Sequence, residues 1–205
     1  MAEILSQNLF NLIIQAIISF CVLALFLSVF IDFMLFSRSH NVQKERKSIV
    51  ETGTMTFFFI VYYFILVSKA GTLDLESQLI TQIMMILGTA MIIIGCIANI
   101  KGRFNLGNNW ANQIKIYKEQ TLVQKGMYRI VRHPLYASII LMFYGGCLVY
   151  RNILAFAAVS IVFIPFMYYR AKQEETLLLQ RFPDYEEYRR RTGMLFPIIR
   201  VRKGD

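Results

Sequence analysis

Polar residues crowd at one point of an otherwise apolar sequence, in the run Gly126-Met127-Tyr128-Arg129-Ile130-Val131-Arg132-His133-Pro134-Leu135-Tyr136. Pro134 suits the first position of a helix, where neighbouring backbone N–H groups stay free and, with the helix dipole, attract the anionic part of a ligand. A second group, Arg170-Ala171-Lys172-Gln173-Glu174-Glu175, follows a later apolar run. Arg170 and Glu174 are four apart, so they share a helix face and can meet. Two acids beside a bilayer face, just inside a basic tail, suit a cationic ligand. Each group also has a plainer reading. The first would anchor a span, with Tyr136 at the interface and His133 as a helix cap; the second would be a surface ion pair worth a few tenths of a kcal/mol.

The elements that must position these groups are long apolar runs. Of 205 residues 56% are hydrophobic and 17% charged, against about 45–50% and about 25% in soluble domains. A span needs roughly 20 apolar residues to cross about 30 Å of hydrocarbon. Five segments approach that length: Leu9 to Phe36, Val50 to Val67, Leu79 to Ile100, Leu135 to Tyr150 and Ile153 to Tyr169. Gly88 and Gly95 are expected close-packing points. The last two segments are parted only by Arg151-Asn152, so a tight antiparallel hairpin is expected. The fold class that follows is an all-α integral membrane bundle of five transmembrane helices. It is read as a single domain over 1–205, with three spans in 1–100 and a cytoplasmic cofactor-binding region, hairpin and tail in 101–205.

The net charge of +9 could suggest nucleic acid, but its distribution follows membrane topology instead. Arg38 to Lys47 hold four basic residues, Lys101 to Arg132 seven and Arg170 to Lys203 nine, which leaves Lys69 and Arg151 on the other face. The N-terminus is therefore expected outside, and the basic loops and C-terminus in the cytoplasm. Met1 to Gln7 carries Glu3, has no basic residue and leads into no cleavage site, so the first run is read as a span rather than a signal peptide. Cys21, Cys96 and Cys147 lie inside apolar runs without redox or ligand spacing and read as small core residues. With only two His, no metal site is expected.

Residues 101–133 form a loop longer than usual. Trp110, Ile114, Ile116, Tyr117, Leu122, Val123, Met127 and Tyr128 argue that it is ordered. In the tail, Phe182-Pro183-Asp184 marks a break, followed by a short amphipathic helix lying on the membrane surface and a stop at Gly193.

Taken in order, Gln120-Thr121-Leu122-Val123, Gly126-x-Tyr128, Arg132-His133-Pro134-x-Tyr136, a helical hairpin, Arg170-x-x-x-Glu174-Glu175 and Tyr185-x-x-Tyr188 resemble the isoprenylcysteine carboxyl methyltransferase family of integral membrane enzymes. Leu106-Gly107-Asn108-Asn109-Trp110 and Gly193-Met194-Leu195-Phe196-Pro197 extend the likeness over about residues 105–198. The resemblance implies a pocket for S-adenosyl-L-methionine lined by Gln113, Gln120, Thr121, Leu122, Val123, Tyr128, His133, Pro134, Leu135 and Tyr136, with Glu174 at a polar end of the cofactor. Members often carry His where this chain has Gln120. Arg170 matches the substrate-side arginine, which would orient the accepting carboxylate first and assist catalysis second.

The implied function is methyl transfer to a hydrophobic or lipidated acceptor, carboxyl methylation of an isoprenylcysteine-like substrate at the inner membrane surface. An ionised carboxylate requires neither a metal nor a strong general base, and a partly dehydrated site favours a step in which both charges are lost. The partners are then the bilayer and a lipophilic acceptor, with no nucleic acid and no metal. The alternatives are a phospholipid or amine N-methyltransferase, a nicotinamide-dependent membrane reductase, and a small membrane scaffold or transporter. Asp32 is the main acid within a span, near its inner end, and no repeated halves are evident, both unlike a transporter.

Overall fold

A computed structural model describes residues 2–36, 42–46, 49–107, 114–117 and 121–198. Its main elements are α1 (Ala2–Phe36), α2 (Ile49–Ser68), α3 (Gln78–Leu106), α4 (Pro134–Val149), α5 (Ile153–Ala158), α6 (Ile164–Arg181) and α7 (Tyr185–Arg191). A π-helical turn, Val159–Phe163, joins α5 to α6 in one continuous helix. Pro165 explains it: a proline would clash with the carbonyl four residues back, and the wider turn, in which Ile164 N–H reaches Val159 O, gives way there. The five apolar segments all fold as helices. Three, Leu5–Ile31, Gln78–Leu106 and Ile153–Arg181, are long and apolar enough to cross a membrane, and Gly53–Ser68 and Pro134–Val149 are shorter apolar helices.

Several boundaries move from their expected places. Helix α3 runs on to Leu106, past the expected end at Ile100, and the fifth segment continues from Tyr169 to Arg181. Helical hydrogen bonding does not stop at the bilayer edge, so hydropathy locates the apolar part and not the helix end. To the helices the described residues add one antiparallel pairing, β1 (Val42–Arg46) with β2 (Ile114–Tyr117); β-branched Ile114 and Ile116 suit a strand. The expected order at Trp110 and the side chain of Asp32 lie outside the described residues.

Helix α4 lies between two packed layers. On one side Ile14 and Cys21 of α1 meet Met85, Ile92 and Cys96 of α3 and Val149 of α4. On the other, Phe58 and Tyr62 of α2 meet Phe143 of α4 and Phe163 of the π turn; Phe163 lies 4.7 Å from both Phe58 and Phe143, ring centre to ring centre. The three cysteines are free and buried in these layers. Outward faces are strongly apolar, with Phe20, Phe26, Phe57 and Ile161 widely exposed, as lipid contact requires.

Gly88 and Gly95 set the α3–α4 approach, as expected. A Cβ on Gly88 would stand 2.5 Å from the Gly145 carbonyl oxygen and 2.8 Å from Val149 Cγ2; on Gly95 it would stand 2.8 Å from the Ser138 carbonyl. Gly88→Ala is therefore expected to destabilise the folded protein by about 1–3 kcal/mol through overpacking. Gly53→Ala, in open space on α2, should instead be neutral or stabilising by up to about 1 kcal/mol. Denaturant unfolding in detergent checks both.

The far end of the bundle is tied down by Asn152. Its Oδ1 caps α5 by accepting from Ala155 N–H at 2.7 Å, and its Nδ2 donates to Ala70 O at 2.9 Å. Leu73 N–H donates to Arg151 O and Ile153 N–H to Gly71 O, both at 2.9 Å. The loops carrying Lys69 and Arg151 thus share one end of the molecule, and both residues adopt positive φ in their turns.

Candidate functional site

The two polar groups of the sequence meet where α4 begins and α6 ends. His133 occupies the N-cap position of α4 without capping it through its side chain. Its ring instead bridges two acids: Nδ1 stands 3.4 Å from Glu174 Oε2, and Nε2 3.3 Å from Glu175 Oε1. Both nitrogens face carboxylates, so the imidazolium form satisfies both. Burial alone would lower the His133 pKa, but hydrogen bonds and charge from Glu174 and Glu175 outweigh it and raise the value from 6.5 to about 9. Tyr136 stacks parallel on His133, 5.5 Å away, and its hydroxyl donates to Glu174 Oε2 at 3.2 Å.

The two acids have different surroundings. The Glu175 side chain is 4% exposed and accepts from Arg132 Nε at 2.7 Å. Arg132 Nη1 also donates to the carbonyls of Arg189 (2.9 Å) and Thr192. Glu175, Arg132 and His133 are thus a buried charge network that ties α4, α6 and α7 together. Glu174 is 37% exposed at its side chain, so after His133 and Tyr136 it still has acceptor capacity for a ligand.

The tail closes over this network. Val131 and Gly193 form a parallel bridge, while Arg132 N–H donates to Gly193 O at 2.8 Å and His133 N–H to Met194 O at 3.1 Å. The expected break is at Phe182 and the helix ends at Arg191, just before Gly193. Tyr185 and Tyr188 turn inward and are buried, and the Tyr188 hydroxyl donates to Tyr128 O at 2.6 Å. Burial raises the phenol pKa values of Tyr128, Tyr185 and Tyr188.

Arg170 lies one turn before Glu174, yet the two close no ion pair; Glu174 is taken by His133 and Tyr136. The Arg170 guanidinium stands 5.9 Å from the Tyr136 ring centre, and its Nη1 donates to Met55 Sδ of α2 at 3.2 Å. Its Nε is buried without a hydrogen-bond partner, as are Gln173 Oε1 and Tyr185 Oη among the described residues. A 7% exposed arginine with a thioether for a partner is a guanidinium with donors to spare.

The candidates named from sequence divide accordingly. His133, Tyr136 and Glu174 come together directly, with Tyr128 joined to them through Tyr188 and the tail. Pro134 and Leu135 turn the other way, toward Gly102 of α3, where an added Cβ would lie 3.0 Å from Leu135 Cδ2. Thr121 is exposed and Leu122 and Val123 are half-buried. Gln113 and Gln120 lie outside the described residues.

Arg132 and Asn99 carried no role in the sequence, and Glu175, paired there with Glu174 as a site for a cationic ligand, is instead buried against Arg132 and His133. Asn99 is fully buried, donates to Ser138 Oγ at 2.8 Å and Leu135 O at 3.2 Å, and accepts from Arg103 Nε at 2.8 Å. A polar residue at the inner end of an apolar run was its signal.

The charge balance of His133 sets a pH dependence. Its pKa is raised on folding, so its stabilising contribution is complete below pH 6.5 and is lost as pH rises through about 9. The groups facing it are Glu174, Glu175 and Tyr136. The thermal midpoint of the wild type is expected to fall between pH 6.5 and 9, and that of His133→Gln to vary less over the same range.

Residues 83–180 match the isoprenylcysteine carboxyl methyltransferase family. A protein-S-isoprenylcysteine O-methyltransferase B of Arabidopsis thaliana is 31% identical over 115 residues, 55% of this chain and 58% of the relative. A probable protein-S-isoprenylcysteine O-methyltransferase of Oryza sativa subsp. indica is 30% identical over 115 residues, covering 55% and 60%. A cobalt-zinc-cadmium resistance protein of Cupriavidus metallidurans is 31% identical over 101 residues, covering 49% and 47%. The chain thus spans about half the length of these curated relatives. The shared stretch holds α4, most of α3 and α6, and the whole His133–Glu174–Glu175–Arg132 cluster, and over this stretch the chain is similar to the isoprenylcysteine carboxyl methyltransferase family.

Proposed function

We propose that this protein is a membrane methyltransferase that takes its methyl group from S-adenosylmethionine and transfers it to a lipophilic acceptor, the carboxylate of an isoprenylcysteine-like compound. The observation that carries the reading is the half-exposed Glu174 carboxylate, held by His133 and Tyr136 one helical turn from a buried arginine with an unpaired donor. The names of the Arabidopsis and Oryza relatives support the acceptor class.

The residues present fit such a donor. Glu174 offers carboxylate oxygen to a cationic group, and the first turn of α4 offers backbone N–H groups and a positive helix end to an anionic one. When bound, the donor supplies an electrophilic methyl group on a positively charged sulfur. Tyr136 and His133 hold Glu174 in one orientation, so the ligand's polar end is fixed without ordering a flexible side chain. Gln113, Gln120, Thr121, Leu122 and Val123 belong to the same proposed lining. On the other side, the Arg170 fork orients the acceptor carboxylate by charge-assisted hydrogen bonds. The acceptor arrives already ionised near neutral pH, so this chain's residues need only bind, align and exclude water.

The same reading makes the chain a single five-span domain with its basic loops and C-terminus in the cytoplasm and its acceptor delivered from the inner leaflet. The common end shared by Lys69 and Arg151, opposite the candidate site, supports that orientation. Incubating the purified protein with radiolabelled methyl donor and an S-prenyl cysteine derivative tests the function. A base-labile methyl ester is expected; a base-stable N-methyl product formed only with an aminophospholipid would replace this reading with amine methylation.

A further inference from the structure

Resting on that reading, we infer that Met55 of α2, outside the stretch 83–180 matched to the family, is the residue that governs access of the acceptor to Arg170 and selects its lipid tail. Arg170 is buried, its Nη1 donates to the Met55 sulfur at 3.2 Å, and its guanidinium otherwise faces Tyr136. A thioether is a weak acceptor for a guanidinium, far weaker than a carboxylate. The Met55 side chain therefore occupies a position on the Arg170 fork that an accepting carboxylate would take over.

Methionine is suited to moving aside. It is unbranched, with three rotatable bonds, and repacks at low cost. Met55 is half-buried and packs against the layer that includes Phe58, Phe143, Phe163 and Met167. Phe58 lies three residues on, one helical turn further along α2, and stacks on Phe163. An acceptor head that displaces the Met55 sulfur thus has its apolar tail directed along this aromatic layer, between α2 and the π turn at Val159–Phe163. The space released or filled at position 55 then decides which tails fit.

The test compares wild type with Met55→Ala, Met55→Leu and Met55→Phe, using S-geranyl, S-farnesyl and S-geranylgeranyl derivatives of N-acetylcysteine as acceptors. Met55→Ala is expected to shift the kcat/KM ratio of the longest to the shortest tail about tenfold toward the longest, and Met55→Phe to shift it oppositely by a similar factor; this is the discrimination one or a few methylenes give in an apolar site. Met55→Leu keeps the volume and removes the sulfur, so it should lower the acceptor KM while leaving tail preference unchanged. Affinity for S-adenosylmethionine, measured by calorimetry, should not change in any variant. Wild-type acceptor KM and tail preference in all variants that bind the donor would overturn the role of Met55. Absence of turnover by the wild type with every acceptor would instead overturn the functional reading on which it rests.

Discussion

Replacing Arg170 by Ala is expected to lower acceptor turnover about a hundredfold, the usual scale for losing a preorganised charged donor at a reacting group, with little change in affinity for S-adenosylmethionine. Arg170 is buried but lightly committed to the fold. Its Nη1 donates to a sulfur and its guanidinium faces the Tyr136 ring, while among the described residues its Nε has no partner and no acid closes an ion pair on it. Its removal should therefore cost stability far less than removal of Arg132, whose Nε and Nη1 bond Glu175 and two backbone carbonyls. Arg170→Lys keeps the charge and loses the planar fork, so it should recover only part of the rate. Steady-state kinetics with a saturating donor check the effect, and unchanged turnover in Arg170→Ala would remove the arginine from the mechanism.

Glu174→Gln is the second large effect, here on the methyl donor. The variant keeps the shape of the side chain and removes its charge, so the donor's Kd is expected to rise about 30- to 100-fold, the scale of one charge-assisted contact. Glu175→Gln is the matched comparison, one residue away. Glu175 is buried against Arg132 and His133, so neutralising it leaves an uncompensated buried charge and should destabilise the fold by about 3–5 kcal/mol. Chemical denaturation should register Glu175→Gln strongly and Glu174→Gln weakly, and calorimetric titration the reverse. Equal effects of the two substitutions on both measurements would mean that the acids act as one structural unit.

The different surroundings of these neighbouring acids were not legible in the sequence. Successive residues on a helix point about 100° apart, and which of them faces the interior depends on what α4 and α7 bring to α6. Pairing of Arg132 with Glu175 closes across 43 positions of sequence, so spacing alone left Glu174 matched with its local neighbour Arg170. The helical hairpin, the tail break and the α3–α4 approach at Gly88 were legible because each rests on a local rule: two polar residues between apolar runs, a proline after a helix, a small residue in a span. Motif resemblance located His133, Tyr136 and Glu174 together but could not separate them from Pro134 and Leu135, which share the same short segment and face α3. Met55 carried no signal at all, since a methionine in an apolar run reads as core until its partner is known.

One charged cluster, His133 with Glu174 and Tyr136, is the proposed seat of the methyl donor. The most direct measurement is calorimetric titration of the detergent-solubilised wild type with S-adenosylmethionine and with S-adenosylhomocysteine. Saturable binding of both to a single class of sites is the expected result. Folded protein that gives no binding heat and no displacement of radiolabelled donor would contradict it, and would leave the cluster as an anchor for membrane helices.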